Sequence, residues 1–292
     1  MMQRRTGNQL PLWTAGCLWI IVLAGIVCSG GCDEEAAEPY AREPDESNAV
    51  AAADTNRPPD AEVAERENVP EDANWPPPRF SERREDREGM VDRIHRAYDF
   101  TDTQALDAMR NVPRHEFVPE HLSRSAYADR PLPIGHDQTI SQPYIVALMT
   151  SLLELNPDKK VLEVGTGSGY QAAVLAELTP HVYTIEIVPP LGRRAIRTFD
   201  VLGYETIRAR IGDGYKGWPE AQPFDGIIVT CAPHSIPEPL VVQLKVGGRM
   251  VIPVGAYVQE LVLVTKNEDG SLDRRSVLPV RFVPMTGEAQ RR

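Results

Sequence analysis

The chain has 292 residues, with 42 acidic and 31 basic side chains, a net charge of −11 and four cysteines. A negative chain lacks the basic surface that sequence-independent nucleic-acid binding needs, and four cysteines are too few for a disulfide scaffold. The hydrophobic content of 42% predicts a mostly globular protein. Residues 33–72 contain 14 acidic and 3 basic side chains, which leaves 28 of each sign elsewhere. The acidity therefore belongs to one segment.

The first 32 residues have the pattern of an export signal. Arg4 and Arg5 precede an almost uncharged stretch, residues 10–27, which is slightly short for a membrane-spanning helix. Small residues then lead to Cys32, as in a bacterial lipoprotein box, although a serine stands where such boxes usually carry an aliphatic residue. We interpret the segment as a lipoprotein signal that anchors the protein, through lipidated Cys32, to a membrane outside the cytoplasm. The alternatives are an uncleaved N-terminal anchor and a misassigned start of a cytoplasmic protein.

Residues 33–80 combine the acidic run with many alanines and prolines and show no sustained apolar periodicity. Such a segment cannot bury enough apolar surface to offset the entropy lost on ordering. It is predicted to be a disordered tether that its own charge extends. An interaction tail is the alternative.

An ordered domain is predicted for residues 81–292. Apolar residues at helical spacing over residues 90–98 predict a first helix. Asp102 or Thr103 can cap a second helix, which ends before Pro113. These two helices form an N-terminal extension of the domain.

From Val161 onward, short β-branched runs alternate with helical segments. This alternation predicts βαβ units and therefore a doubly wound, mostly parallel α/β sheet covered on both faces. A ligand of such a sheet binds beyond the carboxyl ends of the strands.

A glycine-rich turn follows the first of these strands, in the sequence VLEVGTGSGYQ. Gly165, Gly167 and Gly169 allow a sharp turn and close approach of the backbone to a ligand at a helix N-terminus. The G-x-G-x-G spacing differs from the dinucleotide fingerprint G-x-G-x-x-G. Glu163, just before the turn, suits a ligand with a cationic amino group. The turn resembles motif I of the class I S-adenosylmethionine (SAM) methyltransferases, which implies a Rossmann-like fold.

Two further acids extend this pattern. Glu186 ends the next strand, where a carboxylate can bind both ribose hydroxyls, although dehydrogenases use an acid at the same place. Asp213, within a Gly-Asp-Gly turn after the third strand, is placed to contact an adenine amino group; alternatively it is an ordinary turn residue. Together the motifs predict that the cofactor is bound by Glu163, Gly165, Thr166, Gly167, Gly169, Glu186, Asp213 and Gly214.

The segment that carries information about the methyl acceptor is residues 131–144, PLPIGHDQTISQPY. It resembles the signature of the protein-L-isoaspartate (D-aspartate) O-methyltransferases. Further blocks of that family are resembled in order at residues 113–119, 126–135, 138–155, 161–178, 212–233, 244–255 and 281–288. The resemblance covers the chain from about residue 85 to its end.

The resemblance implies methylation, with SAM as donor, of the free α-carboxylate of isoaspartyl and D-aspartyl residues in damaged proteins. The methyl ester re-forms the succinimide, which allows return to a normal linkage. The resemblance also implies that Ser141 is the active-site residue and that Thr139 and Ile140 line the same pocket.

Elementary chemistry is consistent with an active site that has so few catalytic groups. A carboxylate is already ionised at neutral pH, so no general base is needed. A hydroxyl can hold one carboxylate oxygen while the other attacks, which makes Ser141 a positioner and not a covalent nucleophile. Alternatively, Ser141 caps the helix that opens at Gln142 and Pro143.

Other chemistries fit less well. His136 and Asp137 depart from the family pattern, but residues adjacent in sequence do not make a triad with Ser141. Cys231 is interpreted as a buried small hydrophobe. The remaining histidines lack metal-ligand spacing, so no metal is expected.

Two rival functions stay open. One is a class I SAM methyltransferase with another acceptor. The other is a SAM-binding lipoprotein without turnover, which the cytoplasmic origin of SAM makes worth testing for an exported chain.

Overall fold

The structure, a computed structural model, describes residues 65–70 and 72–291. The predicted signal with Cys32, and the predicted tether up to residue 64, lie outside the described residues.

Within the described residues the chain forms six α-helices and ten β-strands. The helices are α1 (Arg84–Tyr98), α2 (Thr103–Asn111), α3 (Pro143–Leu152), α4 (Tyr170–Ala176), α5 (Pro189–Leu202) and α6 (Glu238–Gln243). The strands are β1 (Glu65–Arg66), β2 (Leu132–Gly135), β3 (Gln138–Ile140), β4 (Val161–Val164), β5 (Val182–Glu186), β6 (Arg208–Ile211), β7 (Phe224–Val229), β8 (Leu244–Val254), β9 (Gln259–Lys266) and β10 (Leu272–Val280).

Eight strands form one sheet in the order β1-β6-β5-β4-β7-β8-β9-β10. The five central strands, which are β6, β5, β4, β7 and β8 in sheet order, run parallel, whereas β9 and β10 extend the sheet antiparallel. The predicted doubly wound, mostly parallel α/β fold is confirmed. The antiparallel strand β10 and the separate β2–β3 hairpin were not predicted.

The sheet has a core on each face. Every residue of β4 is buried, as expected for a central strand covered on both sides. Val161 belongs to the core that residues of α1 to α5 share, while Leu162 and Val164 belong to a second core with Leu240 of α6 and Met285 near the C-terminus. Alternate side chains of one strand therefore serve two cores.

The N-terminal extension has the two expected helices. Asp102 is the N-cap of α2, and its carboxylate accepts the backbone N–H groups of Gln104 at 3.0 Å and Ala105 at 3.2 Å. Within the described residues, none of the helices combines the length and apolar character needed to cross a membrane.

The described residues up to residue 80, which belong to the predicted tether, contact the domain. Residues 65–70 and 72–80, here called the N-terminal strap, begin with β1 pairing antiparallel to β6 at the sheet edge. Trp75 Nε1 donates a hydrogen bond to the carbonyl oxygen of Ala176 at 2.8 Å, and Pro77 is buried. Contacts made by single residues such as Trp75 and Pro77 produce no apolar periodicity in the sequence. The prediction of disorder therefore rested on composition alone.

Ion pairs also tie the strap to the domain. Arg66 pairs with Asp200 at 3.2 Å, and Arg79 pairs with Glu177 at 3.0 Å. The side chain of Glu177 is only 1% exposed, and burial raises its pKa to about 7 while Arg79 opposes the shift. The strap thus supplies the positive charge that faces a buried carboxyl of the domain.

Candidate active site

The strand order reverses at β4, which has β5 on one side and β7 on the other. In open α/β sheets a ligand binds in the crevice beyond the carboxyl ends of the strands at such a reversal. The predicted motifs lie at this edge: the glycine turn follows β4, Glu186 ends β5, and Asp213 follows β6. The sheet therefore brings together acids that the sequence separates by tens of residues.

Three adjoining pockets open at this edge. The inner pocket lies at the carboxyl ends of β4 and β5, and the last residues of these strands, Val164 and Glu186, both line it. It is lined by Gln138, Thr139, Val164, Gly165, Gly167, Ile185, Glu186, Ile187, Val188, Gly214, Thr230, Cys231, Val283, Pro284, Met285 and Thr286. The outer cleft is lined by Tyr98, Pro131, Thr139, Ser141, Gln142, Tyr144, Ile145, Thr230, Leu278, Pro279, Val280, Arg281, Phe282 and Val283. The small pocket is lined by Thr139, Ile140, Ser141, Val146, Glu163, Gly165, Thr166, Gly167, Ser168, Tyr170, Gln171 and Thr230.

The inner pocket and the outer cleft share three lining residues, Thr139, Thr230 and Val283. Two chambers with a common wall can hold a donor and an acceptor side by side. The arrangement therefore suits a group transfer between two ligands.

The glycine turn is shaped by close contacts. Gly165 has φ of +100°, and a Cβ there would lie 2.4 Å from Thr230 Oγ1, so any side chain would clash. Gly167 also has a positive φ and lines the inner pocket. Gly169 lines none of the three pockets; a Cβ on it would lie 2.7 Å from the ring of Phe199. Gly169 therefore allows close packing against Phe199 of α5, and its contact with the cofactor stays a prediction.

Glu186 is fixed by backbone donors at the wall of the inner pocket. The N–H of Gly167 donates to Oε2 at 2.7 Å, and the N–H of Val188 donates to Oε1 at 2.8 Å. Burial raises the pKa of Glu186, while these two hydrogen bonds lower it. Each carboxylate oxygen keeps a lone pair for a ligand, which fits the predicted binding of a diol.

Glu163 lies in the wall of the small pocket with no exposed surface. Thr184 Oγ1 lies 2.5 Å from its Oε2, and Thr166 Oγ1 lies 2.6 Å from Thr184 Oγ1. Among the described residues Oε1 has no partner. Burial raises the pKa of Glu163 to about 8, and the nearby charge of Glu186 adds to the shift. A buried carboxyl oxygen without a partner suits a ligand that brings a hydrogen-bond donor.

Asp213 does not line any of these three pockets. The N–H of Tyr215 donates to Oδ1 at 3.0 Å, and the N–H of Glu288 donates to Oδ2 at 2.8 Å. A Cβ on Gly287 would lie 2.6 Å from Oδ2, so the C-terminal segment passes very close to the carboxylate. In this structure Asp213 ties the C-terminal segment to the domain, and its contact with an adenine amino group stays a prediction.

Ser141 lies between β3 and α3 and lines both the outer cleft and the small pocket. Its carbonyl oxygen accepts a hydrogen bond from Arg114 Nη2 at 2.6 Å. Its hydroxyl is not hydrogen-bonded to any of residues 65–70 or 72–291. Thr139 lines all three pockets, and Ile140 lines the small one. The hydroxyl is therefore available to a ligand.

One residue that the sequence did not predict lines all three pockets. Thr230 follows β7, and its Oγ1 donates to the carbonyl oxygen of Gly165 at 2.6 Å. Its position after a central strand was the available signal, because ligand-binding residues collect at the carboxyl ends of strands. Residues 283–286, which close the inner pocket, carried no such signal.

The structure also bears on the residues set aside for other chemistries. His136 and Asp137 are exposed at the tip of the β2–β3 hairpin, with φ values of +53° and +56°. Cys231 lines the inner pocket, and burial raises the pKa of its thiol to about 12. Such a thiol is protonated at neutral pH and is a poor nucleophile.

The family is decided by a match to one family model. Residues 85–290 match the model described as protein-L-isoaspartate (D-aspartate) O-methyltransferase. The chain belongs to the protein-L-isoaspartate (D-aspartate) O-methyltransferase family. The resemblance read from residue 85 onward is confirmed, and the N-terminal strap precedes the segment that matches.

Relatives and solved structures agree with the family assignment. Protein-L-isoaspartate O-methyltransferase 2 of a Polaromonas species is 60% identical over 189 residues, covering 64% of this chain and 90% of the relative. The protein-L-isoaspartate O-methyltransferase of Opitutus terrae is 58% identical over 208 residues, covering 70% and 89%.

Among solved structures, a protein-L-isoaspartate O-methyltransferase is 30% identical with a TM-score of 0.63, covering 70% of this chain and 67% of that chain. A structure from Plasmodium falciparum in complex with S-adenosyl-L-homocysteine has a TM-score of 0.61, 23% identity and coverage of 68% and 98%. The latter supports the fold of this family member.

Proposed function

We propose that this chain is a protein-L-isoaspartate O-methyltransferase. It transfers the methyl group of SAM to the free α-carboxylate of L-isoaspartyl and D-aspartyl residues in damaged proteins. Its family membership and its relatives at 60% and 58% identity support this activity. The structural observation that carries the proposal is the unbonded hydroxyl of Ser141, in a cleft that shares a wall with the inner pocket.

The inner and small pockets fit SAM by the chemistry of their walls. Glu186 has free lone pairs for the ribose hydroxyls, and the buried Oε1 of Glu163 lacks a partner that the ammonium group can supply. The backbone at Gly165 and Gly167 allows close approach. Thr166 and Gly214 complete the proposed cofactor contacts, while Asp213 and Gly169 act through the tail and through helix packing.

SAM supplies a methyl group on a sulfonium, and displacement by a carboxylate oxygen forms the ester and releases the thioether product. The protein has to hold the acceptor carboxylate in line at roughly 3–3.5 Å from the methyl carbon. The hydroxyl of Ser141 donates to one carboxylate oxygen and leaves the other free to attack. Thr139, which lines every pocket of the site, borders both ligands.

A matched pair of peptides tests the acceptor. We expect labelled SAM to methylate a peptide with one isoaspartyl residue, and not the same peptide with a normal aspartyl linkage. The label should be released as methanol in mild base, because the product is a carboxyl ester. Equal labelling of both peptides would indicate another acceptor, and SAM binding without labelling would indicate a protein without turnover.

We further propose that the mature protein is a lipoprotein anchored outside the cytoplasm through Cys32. The proposal depends on the sequence of residues 1–32 alone. The purified membrane form should have a diacylated Cys32 as its first residue by mass spectrometry, and Cys32→Ser should abolish that mass. An intact Met1 or a later start site would contradict the anchor.

A further inference from the structure

Helix α3 begins at Pro143, two residues after the proposed active-site serine, and the free N–H groups of its first turn need acceptors. A serine near the start of a helix accepts one of them with its hydroxyl when it is the N-cap residue. In this structure the N-cap residue is Gln142, and no side chain of that residue caps the helix. Within the part of the chain that the structure describes, the hydroxyl of Ser141 does not cap the helix either. Another group must therefore satisfy the start of α3.

Asp129 supplies that group from the loop before β2. Its Oδ1 accepts the backbone N–H of Tyr144, in the first turn of α3, at 2.9 Å. Its Oδ2 accepts Gln142 Nε2 at 2.9 Å and the hydroxyl of Tyr98 at 2.7 Å. A carboxylate at a helix N-terminus also interacts favourably with the helix dipole. Asp129, 14 residues before the helix begins, thus caps the helix from a separate segment of the same chain.

The ring packing around Asp129 holds the cap in place. Tyr98 and Tyr144 stack with ring centroids 3.6 Å apart and planes 8° apart. Both tyrosines and Gln142 line the outer cleft, whereas Asp129 itself does not. The carboxylate therefore works behind the cleft wall and organises the residues that form it.

The carbonyl of the serine is held separately. Arg114, fully buried, donates from Nη2 to Ser141 O at 2.6 Å and from Nε to Ala126 O at 2.8 Å. Its guanidinium lies 4.6 Å from the ring centroid of Tyr170. The serine backbone is thus fixed on one side by Arg114 and on the other by the capped helix.

We propose that Asp129 is a positioning residue for Ser141. Because Asp129 caps α3, the Ser141 hydroxyl stays free. The cap also fixes the Ser141 backbone, so that the hydroxyl can bind the acceptor carboxylate. This role rests on the proposed isoaspartyl methylation. Asp129 does not line the outer cleft, so its effect on turnover is expected to pass through Ser141.

A double-mutant cycle tests this dependence. We expect Asp129→Ala to lower kcat/KM for the isoaspartyl peptide by about 10- to 100-fold, since small displacements of a positioning group cost up to about 100-fold. The Kd for SAM should stay within about twofold. In the Ser141→Ala background the same substitution should change kcat/KM by less than about twofold, because its target is already gone. Asp129→Asn, which keeps an oxygen for Tyr144 N–H, should recover most of the activity.

Asp102→Ala is the matched control, because it removes the carboxylate cap of α2. It should lower the Tm in the same way as Asp129→Ala and leave kcat/KM unchanged. Equal losses from Asp129→Ala in both backgrounds, or equal losses from the two cap variants, would show a structural role and overturn the inference. If Asp129→Ala does not fold, an Asp129→Asn enzyme with wild-type Tm and a loss as large as that of Ser141→Ala would also overturn it. A wild-type enzyme that does not discriminate isoaspartyl from aspartyl peptide would instead refute the proposed function itself.

Discussion

Replacing Ser141 with alanine should lower kcat/KM for an isoaspartyl peptide by about 100-fold while the Kd for SAM stays within about twofold of wild type. A charge-assisted hydrogen bond contributes roughly 1.5–3 kcal/mol, and imprecise placement of the attacking oxygen costs about 100-fold. SAM binding is spared because the proposed cofactor contacts come from β4, β5, the glycine turn and Gly214, and not from the Ser141 hydroxyl. Steady-state kinetics with the peptide, together with calorimetric titration of SAM, measure the two effects separately.

Ser151→Ala provides the control for this substitution. Ser151 lies in the last turn of the same helix, α3, and lines none of the three pockets. Its kinetics should match those of the wild type. Parallel losses of turnover and SAM affinity in Ser141→Ala would mean that the serine supports the whole site and does not position the acceptor.

The features that were predictable from the sequence are those encoded within short segments. A buried strand, a glycine turn and a helix follow one another between Val161 and Ala176, so their order and period identify the central βα unit. The position of Glu186 at the end of β5 was predictable because a strand end is visible in the sequence. The alternative role of Ser141 as a helix cap was wrong, because the residue that caps α3 lies elsewhere in the chain.

The features that were not predictable depend on contacts between distant segments. Glu288 reaches back 75 residues to Asp213, and Trp75 contacts Ala176 across 101 residues. Neither contact leaves a periodic pattern, since each uses one side chain or one backbone group. The tail position of Asp213 and the ordered strap could therefore be found only in three dimensions.

Hydrogen-bond donors and burial explain why Glu186 and Glu163 differ in how well their charged forms are stabilised. Glu186 has two backbone donors that stabilise its charge, whereas Glu163 is completely buried and, among the described residues, receives only the Thr184 hydroxyl. Burial with so few hydrogen-bond donors raises the pKa of Glu163 to about 8. Without ligand, Glu163 is therefore mainly protonated at neutral pH.

SAM binding is expected to release a proton from Glu163. An ammonium group beside Oε1 favours the ionised carboxylate, so binding below pH 8 requires the proton to leave. Affinity should therefore rise with pH, by about tenfold between pH 6 and pH 7. Calorimetry at pH 6.5 in two buffers with different ionisation enthalpies should report about one proton released per SAM bound. An affinity that does not change over this range would refute the contact.

Glu163→Gln separates this contact from a structural effect through opposite changes in affinity and stability. Glutamine keeps an oxygen for the Thr184 hydroxyl but cannot become charged, so SAM should bind more weakly and its affinity should no longer vary with pH. A carboxyl whose folded pKa lies above its ordinary value of 4.5 destabilises the fold increasingly as pH rises from about 4.5 to about 8. Glutamine removes that cost, so the ligand-free variant should have a higher Tm than the wild type at pH 8 and lose this advantage near pH 5. A variant that loses both affinity and Tm at pH 8 would contradict this account. It would show that Glu163 stabilises the packing of the ligand-free protein, whereas a carboxylate kept for a ligand lowers the stability of that protein at the pH where it is charged.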